Sequence, residues 1–372
     1  MTTTTTEPTD PTATEPPAPV VAETETVSNP NANRAKRAAI GLGRVALAVL
    51  GTLVVFGIVV WIKGANPFDT YKALFDSIFK DPNAPTEIAL RATPLVLAGL
   101  AVAVPARAGL VNVGGEGQLL IGGVTGAGMA LIIGPSFPGA LGLVLILVAG
   151  AIGGALWAAL SVVLRLFSGI SESVTTLLLN YVALDLMLFL IYDPWKDPNG
   201  SGQPASRPIP ESQTLGVFGD SRLHYGVLIA LAAVFVIAFV LKRTAWGFTL
   251  RVVGGNAEAA RRAGLRVGPL LVSAMFVGGA LAGLAGAIQL AGVEYKLRPL
   301  FLFGFGYVGF LASWLGRHQP WKVAAAAVLL SALVIGGDSL QIDSGLPAAT
   351  VNVLMAILLL AVFGFTGKKR TT

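Results

Sequence analysis

The sequence predicts an all-α polytopic membrane protein with about ten transmembrane helices. Hydrophobic residues make up 54% of the 372-residue chain and charged residues only 12%, against about 25% charged in soluble proteins. Mean hydropathy is +0.73. The apolar residues also gather into uncharged runs of bilayer-spanning length. Too little polar surface remains for a soluble enzyme, a disordered chain or a simple filament. Cys is absent, which removes disulfides, thiolate metal sites and Cys nucleophiles. The two histidines, His224 and His318, lie beside segment ends, so neither a metal nor another cofactor is expected.

Residues 1–43 read as a tail. Positions 1–33 are rich in Thr, Pro and Glu and lack Lys, Arg and aromatic residues, a composition that cannot bury enough apolar surface to fold. Without a basic start followed by an apolar core, they do not read as a signal peptide. A basic cluster follows at Arg34, Lys36, Arg37 and Arg44. Between 44 and 367 the runs place spans near 45–62, 88–106, 117–133, 139–164, 173–192, 225–241, 269–291, 300–316, 322–337 and 347–366. Segment 68–80 sets Phe68, Tyr71, Leu74, Phe75, Ile78 and Phe79 at helical spacing opposite Asp69, Lys72, Asp76 and Lys80. Too short to cross, it is expected to lie flat at the external interface.

Ten spans put both termini on one side. Seventeen of the 26 Lys and Arg then share that side, which the positive-inside rule makes cytoplasmic. Topology thus explains the net charge of +6 without nucleic acid. Loop 193–222 is placed outside, and loop 242–268 and the basic tail 368–372 inside. Leu97–Ala103 reads LAGLAVA and Leu281–Ala287 reads LAGLAGA. The two lie in oppositely directed spans, as an inverted repeat of five helices requires; a chance match between Ala/Gly/Leu-rich helices fits as well.

No GxxxxGK[ST] loop, HExxH or G-x-S-x-G occurs, so nucleotide hydrolysis by a phosphate loop is not expected here. Three motifs remain. The first, 107–118, sets Asn112, Glu116 and Gln118 among Gly109, Gly114, Gly115 and Gly117. It reads either as a cytoplasmic turn or as a broken segment beside a substrate path, because freed backbone at membrane depth must line protein or a cavity. The second, 171–181, has Ser171 and Glu172 suited to a helix start, with Ser173, Thr176 and Asn180 on one face. Asp185 lies deeper. Intramembrane acids point to function, while interhelical hydrogen bonding is the plainer role. The third, 242–269, holds a short helix that Asn256 caps, with Glu258 in its first turn, a slim Ala257, Ala259, Ala260 and Ala263 profile, and Gly264 ending it. It suits docking into a groove on another protein or, with Arg261, Arg262 and Arg266, a lipid surface.

GNAEAARRAG resembles the coupling helix of permease subunits of bacterial ATP-binding-cassette importers. RAGLVNVGGEGQLLIGG, SESVTTLLLNY and ALAGLAGAIQLAGV resemble the branch that moves branched-chain amino acids, simple sugars and nucleosides, and are most similar to its nucleoside and simple-sugar members. The likeness spans about 44–367 and departs at Glu294–Arg298, Trp314 and Arg317. It implies a non-enzymatic permease in the bacterial plasma membrane that carries a nucleoside or simple sugar. Its implied partners are a cytoplasmic ATP-binding subunit, a second permease as homo- or heterodimer, and an extracellular lipid-anchored solute-binding protein. Asn112, Glu116, Gln118, Thr176, Asn180 and Asp185 are the expected path residues. Gly255, Asn256, Glu258, Ala259, Ala260, Arg261 and Gly264 are the expected ATPase contact. The alternatives are an ion-coupled secondary transporter, with Asp185 and Glu116 as its acid pair, and a membrane enzyme, for which no nucleophile–base arrangement stands out.

Overall fold

The computed structural model describes residues 49–200, 202–344 and 349–366, with a few isolated positions before Val49. Nearly all of the expected 1–43 tail and the whole 368–372 terminus lie outside the described residues. Within the unit Ala48–Thr372 the helices are α1 (Val49–Ile62), α2 (Pro67–Phe79), α3 (Ala84–Ala106), α4 (Gly115–Ile133), α5 (Gly139–Ser168), α6 (Glu172–Tyr192), α7 (Gly226–Arg243), α8 (Ala245–Gly255), α9 (Ala257–Arg262), α10 (Val267–Gln289), α11 (Phe305–Leu315), α12 (Pro320–Ser344) and α13 (Ala349–Thr366). Among the described residues the only β-type pairings are two isolated bridges.

Seven of these helices, α3 to α7, α10 and α12, are each long and apolar enough to cross a membrane. The chain is an all-α polytopic membrane protein. Helix α2 turns 115° from α1; Pro67 opens it and Asn66 caps it by accepting from the Phe68 amide. The eighth expected span, 300–316, is helical only over its second part, which corrects its expected helix length. Its helix α11 has 11 residues and is about 16 Å long, roughly half the hydrocarbon thickness. Residues before it are spent on turns, with Leu302 and Gly304 at φ 54° and 86°.

Small residues set the packing. Gly150 and Gly154 of α5 face Gly279 and Gly283 of α10; a Cβ on Gly154 would lie 2.6 Å from the Gly283 Cα. A Cβ on Gly122 of α4 would collide with the Gly283 backbone. Apolar lipid gives helices no hydrophobic reason to associate, so such close backbone approach supplies the contact. The opposite face of α5 presents Leu141, Val144, Val148, Ile152 and Leu156, all exposed at steps of three and four, the stripe expected to face lipid. The two segments sharing the LAGLA motif lie on α3 and α10, which pack together: a Cβ on Gly278 would meet the Ala101 carbonyl at 2.6 Å.

Arg91, the one charge inside the expected second span, pairs with Asp338 of α12 at 2.5 Å. Loop 193–225 is stitched down. The Gln213 Nε2 donates to the Gly134 carbonyl at 2.8 Å, the Leu215 amide to Ala291 at 2.8 Å and the Ile209 amide to Tyr295 at 2.8 Å. Ala291 lies in a π-helical turn, Leu290–Glu294, that ends α10.

Candidate functional site

The glycine motif is a break between two helices. Helix α3 ends at Ala106, and Pro105 has no N–H to offer the Ala101 carbonyl four residues back. The Asn112 Nδ2 supplies it at 3.1 Å. The same nitrogen donates to the Gln118 Oε1 at 3.0 Å. The Asn112 Oδ1 accepts from the Gln118 Nε2 at 2.8 Å and from the Gly114 amide at 3.0 Å. Both side chains are buried, so this paired-amide knot satisfies a stretch of backbone that neither helix can satisfy.

Helix α6 holds the motif from the side. The Thr176 Oγ1 accepts from the Val113 amide at 3.2 Å. The Asn180 Oδ1 accepts from the Gly117 amide at 2.8 Å, and its Nδ2 donates to the Val113 carbonyl at 3.1 Å. Glu172 accepts from the Val111 amide at 3.1 Å and pairs with Arg165 at 2.5 Å. Ser171 stands at the N-cap position of α6, but its side chain makes no capping bond.

Glu116 ties the start of α4 to the start of α11. Its two carboxylate oxygens accept from the Gly304 amide at 2.6 Å and the Gly306 amide at 2.7 Å. The ends touch backbone to backbone: a Cβ on Gly115 would lie 3.4 Å from the Gly306 carbonyl. Beside this junction a cavity of about 70 Å³ is lined by Glu116, Leu120, Asn180, Tyr181, Leu184, Pro299, Phe301, Phe303 and Tyr307. Asn112, Gln118 and Thr176 are joined to the junction by hydrogen bonds and do not line the cavity. Asp185 is exposed on α6, apart from the other five. Glu116 is engaged with two amides, and Asp185 does not line the cavity. The second wall, Gly304, Gly306, Tyr307 and the Phe301–Phe303 turn, was missed from sequence. Its signal is the Gly304-Phe305-Gly306 pattern opening an apolar run, which matches the Gly115-Glu116-Gly117 pattern opening α4.

The third motif folds as two helices. Thr244 caps α8 by accepting from the Gly247 amide at 3.2 Å, and Trp246 anchors it to α10 through a 2.9 Å bond to the Ser273 Oγ. Asn256 caps α9 by accepting from the Ala259 amide at 2.9 Å. Glu258 pairs with Arg261 at 2.7 Å and Arg262 at 3.2 Å. Gly264 turns the chain at φ 85°. Ala260 is buried while Gly255, Asn256, Glu258, Ala259 and Arg261 are exposed. Nearby, the Arg107 Nη2 donates to the His318 carbonyl at 2.8 Å, and the His318 Nδ1 lies 3.0 Å from the Ser313 Oγ. Burial, and then the Arg107 charge, hold the His318 imidazole below its usual pKa.

A bundle of membrane-crossing helices, broken at two glycine-rich helix starts and carrying a short capped helix on a connecting segment, defines a membrane transport subunit. The chain belongs to the branched-chain amino acid transport system / permease component family, whose model matches residues 84–363. It is similar to the glucose ABC transporter permease protein TsgB13 of Haloferax volcanii, at 34% identity over 86% of each chain. It is also similar to the guanosine ABC transporter permease protein NupP of Bacillus subtilis, at 33% over 85% of this chain and 91% of that one. The nucleoside ABC transporter permease protein NupB of Lactococcus lactis matches at 29% over 84% and 88%. The chain is a multi-pass permease subunit of an ATP-binding-cassette transporter in the plasma membrane. That family implies an ATP-binding subunit and a solute-binding protein as partners.

Proposed function

We propose that this chain forms the translocation path of an importer for nucleosides or simple sugars, paired with a second permease of the same or another chain. A lipid-anchored solute-binding protein delivers the substrate from outside. The carrying observation is the junction of α4 and α11 at Glu116, where two broken segments meet beside an aromatic cavity. Irregular backbone held inside a bundle is where transporters build substrate sites. In this reading Glu116 and Asn180 line the path, Asn112, Gln118 and Thr176 hold its shape, and Asp185 contributes least. Both termini and the α8–α9 segment lie in the cytoplasm, where α9 docks on the ATPase.

The caps and the salt-bridged exposed face of α9 support docking. A solvated lipid-binding loop needs the arginines but not the helix. Ala260→Pro deletes the 3.0 Å bond to the Asn256 carbonyl and costs about 3 kcal/mol in a helix interior. It is expected to strip the ATPase from the complex or uncouple hydrolysis from uptake. Neutralising Arg261, Arg262 and Arg266 is expected to be milder. An Ala260→Pro protein that keeps its ATPase and transports normally removes the coupling assignment. Uptake of a panel of nucleosides and sugars by the reconstituted complex tests the substrate class.

A further inference from the structure

The end of α8 and the beginning of the glycine motif share a contact with no side chain in it. A Cβ on Gly254 would collide with the Arg107 carbonyl and stand 3.1 Å from both the Arg107 carbonyl carbon and the Gly109 nitrogen. From the other side, a Cβ on Gly109 would lie 3.4 Å from the Gly254 Cα and 3.6 Å from its carbonyl oxygen. Gly109 also sits at φ 77°, a conformation only glycine adopts cheaply. Two backbones in van der Waals contact have no rotamers to absorb a displacement, whereas side-chain contacts do.

Both sides of this contact continue into fixed structure. Gly254 is followed by Gly255 and by the Asn256 cap of α9, and α8 is pinned at its other end by Trp246 on Ser273. Three residues after Gly109 stands Asn112, knotted to Gln118, Gly114 and the Ala101 carbonyl. Arg107 adds a link to the turn between α11 and α12 through the His318 carbonyl. Between Arg107 and Gly114 only Gly109 and Val111 are exposed, and the Val111 amide is held by Glu172.

We propose that the Gly254–Gly109 backbone contact is the transmission point through which movement of the α8–α9 segment reaches the broken start of α4. This rests on the reading of α9 as the ATPase contact. It makes Gly254 a positioning residue that touches neither substrate nor ATPase.

The test uses the assembled transporter in proteoliposomes. Gly254 has a helical backbone that alanine suits, so Gly254→Ala acts through the collision with Arg107. The variant is expected to keep its ATPase subunit and still hydrolyse ATP, while uptake falls about tenfold or more, the shift that overpacking a closed contact imposes on a two-state balance. Gly268→Ala is the control. Its Cβ would meet only Leu166, at 3.6 Å, and uptake should stay within about twofold. Normal uptake by Gly254→Ala overturns the proposal. Should that variant not assemble, hydrogen exchange on the wild-type transporter decides: ATP binding is expected to change exchange in 245–262 and in 107–118 together. A response in 245–262 with none in 107–118 overturns the transmission point alone. No response in 245–262 overturns the ATPase contact as well.

Discussion

Asn112→Leu isolates the contribution of the amide knot. Leucine has the same branching as asparagine and is larger, so the change removes polar bonds without opening a cavity. It leaves four atoms unpaired: the Ala101 carbonyl, the Gly114 amide and both ends of the Gln118 amide. The loss is about 2 kcal/mol if each bond has the average strength measured inside membrane proteins. It is about 4 kcal/mol if each orphan carries the low end of the buried-polar penalty. The larger figure should prevail, because Asn112 is fully buried and Gln118 nearly so, and Pro105 leaves the Ala101 carbonyl no helical partner. Adding Gln118→Leu removes two of the orphans, so the double variant should be more stable than Asn112→Leu by about 1 kcal/mol or more. Thermal unfolding in detergent, followed by tryptophan fluorescence, measures all three proteins. A loss under about 0.5 kcal/mol for Asn112→Leu, or strict additivity in the double variant, refutes the knot.

Gly283→Leu should destabilise the bundle by about 1–3 kcal/mol or more, because its side chain meets the α5 backbone; Gly51→Ala, with nothing within 4 Å, should be silent in the same unfolding assay. Single cysteines at Ser212 and Glu258, in a chain with no native Cys, should label from opposite sides of the membrane, and labelling from one side removes the proposed topology. His318 has a lowered pKa in the fold, so its contribution to stability is complete above about pH 6.5 and is lost as pH falls through the folded value. Unfolding temperatures between pH 8 and 5 should therefore drop less for His318→Gln than for the wild type, and equal drops would show that His318 does not titrate with folding.

Helices announced by long uncharged runs were legible from the chain: α4 and α5 begin and end within a few residues of the charge-free limits around 117–164. The cap of α9 was equally plain, because Asn256 acts on residues three positions away. Residues that act across distance were not. Asn112, Thr176 and Asn180 could be picked as polar groups in apolar surroundings, but Thr176 and Asn180 bind the glycine motif more than sixty positions earlier, and nothing local tells a knot from a path. The partners of Glu116 were not legible because the amides it binds lie about 190 positions later in the chain. The length of α11 was hidden for a related reason. Residues 300–303 are apolar enough to extend a span, and only the turn at Leu302 and Gly304 takes them out of the helix.

The junction of α4 and α11 also has an electrical consequence. A helix start carries a partial positive charge of roughly half an elementary unit, so two abutting starts amount to about one. An ionised Glu116 brings a negative charge to the same place, on a carboxylate whose two oxygens bind α11. The seam is thus close to neutral, in a region where an uncompensated charge would draw small ions of the opposite sign. An importer for nucleosides or simple sugars, as proposed here, must pass an uncharged solute while the membrane potential persists. A seam without net charge favours neither anion nor cation leak, and changing Glu116 to glutamine would tilt that balance toward anions.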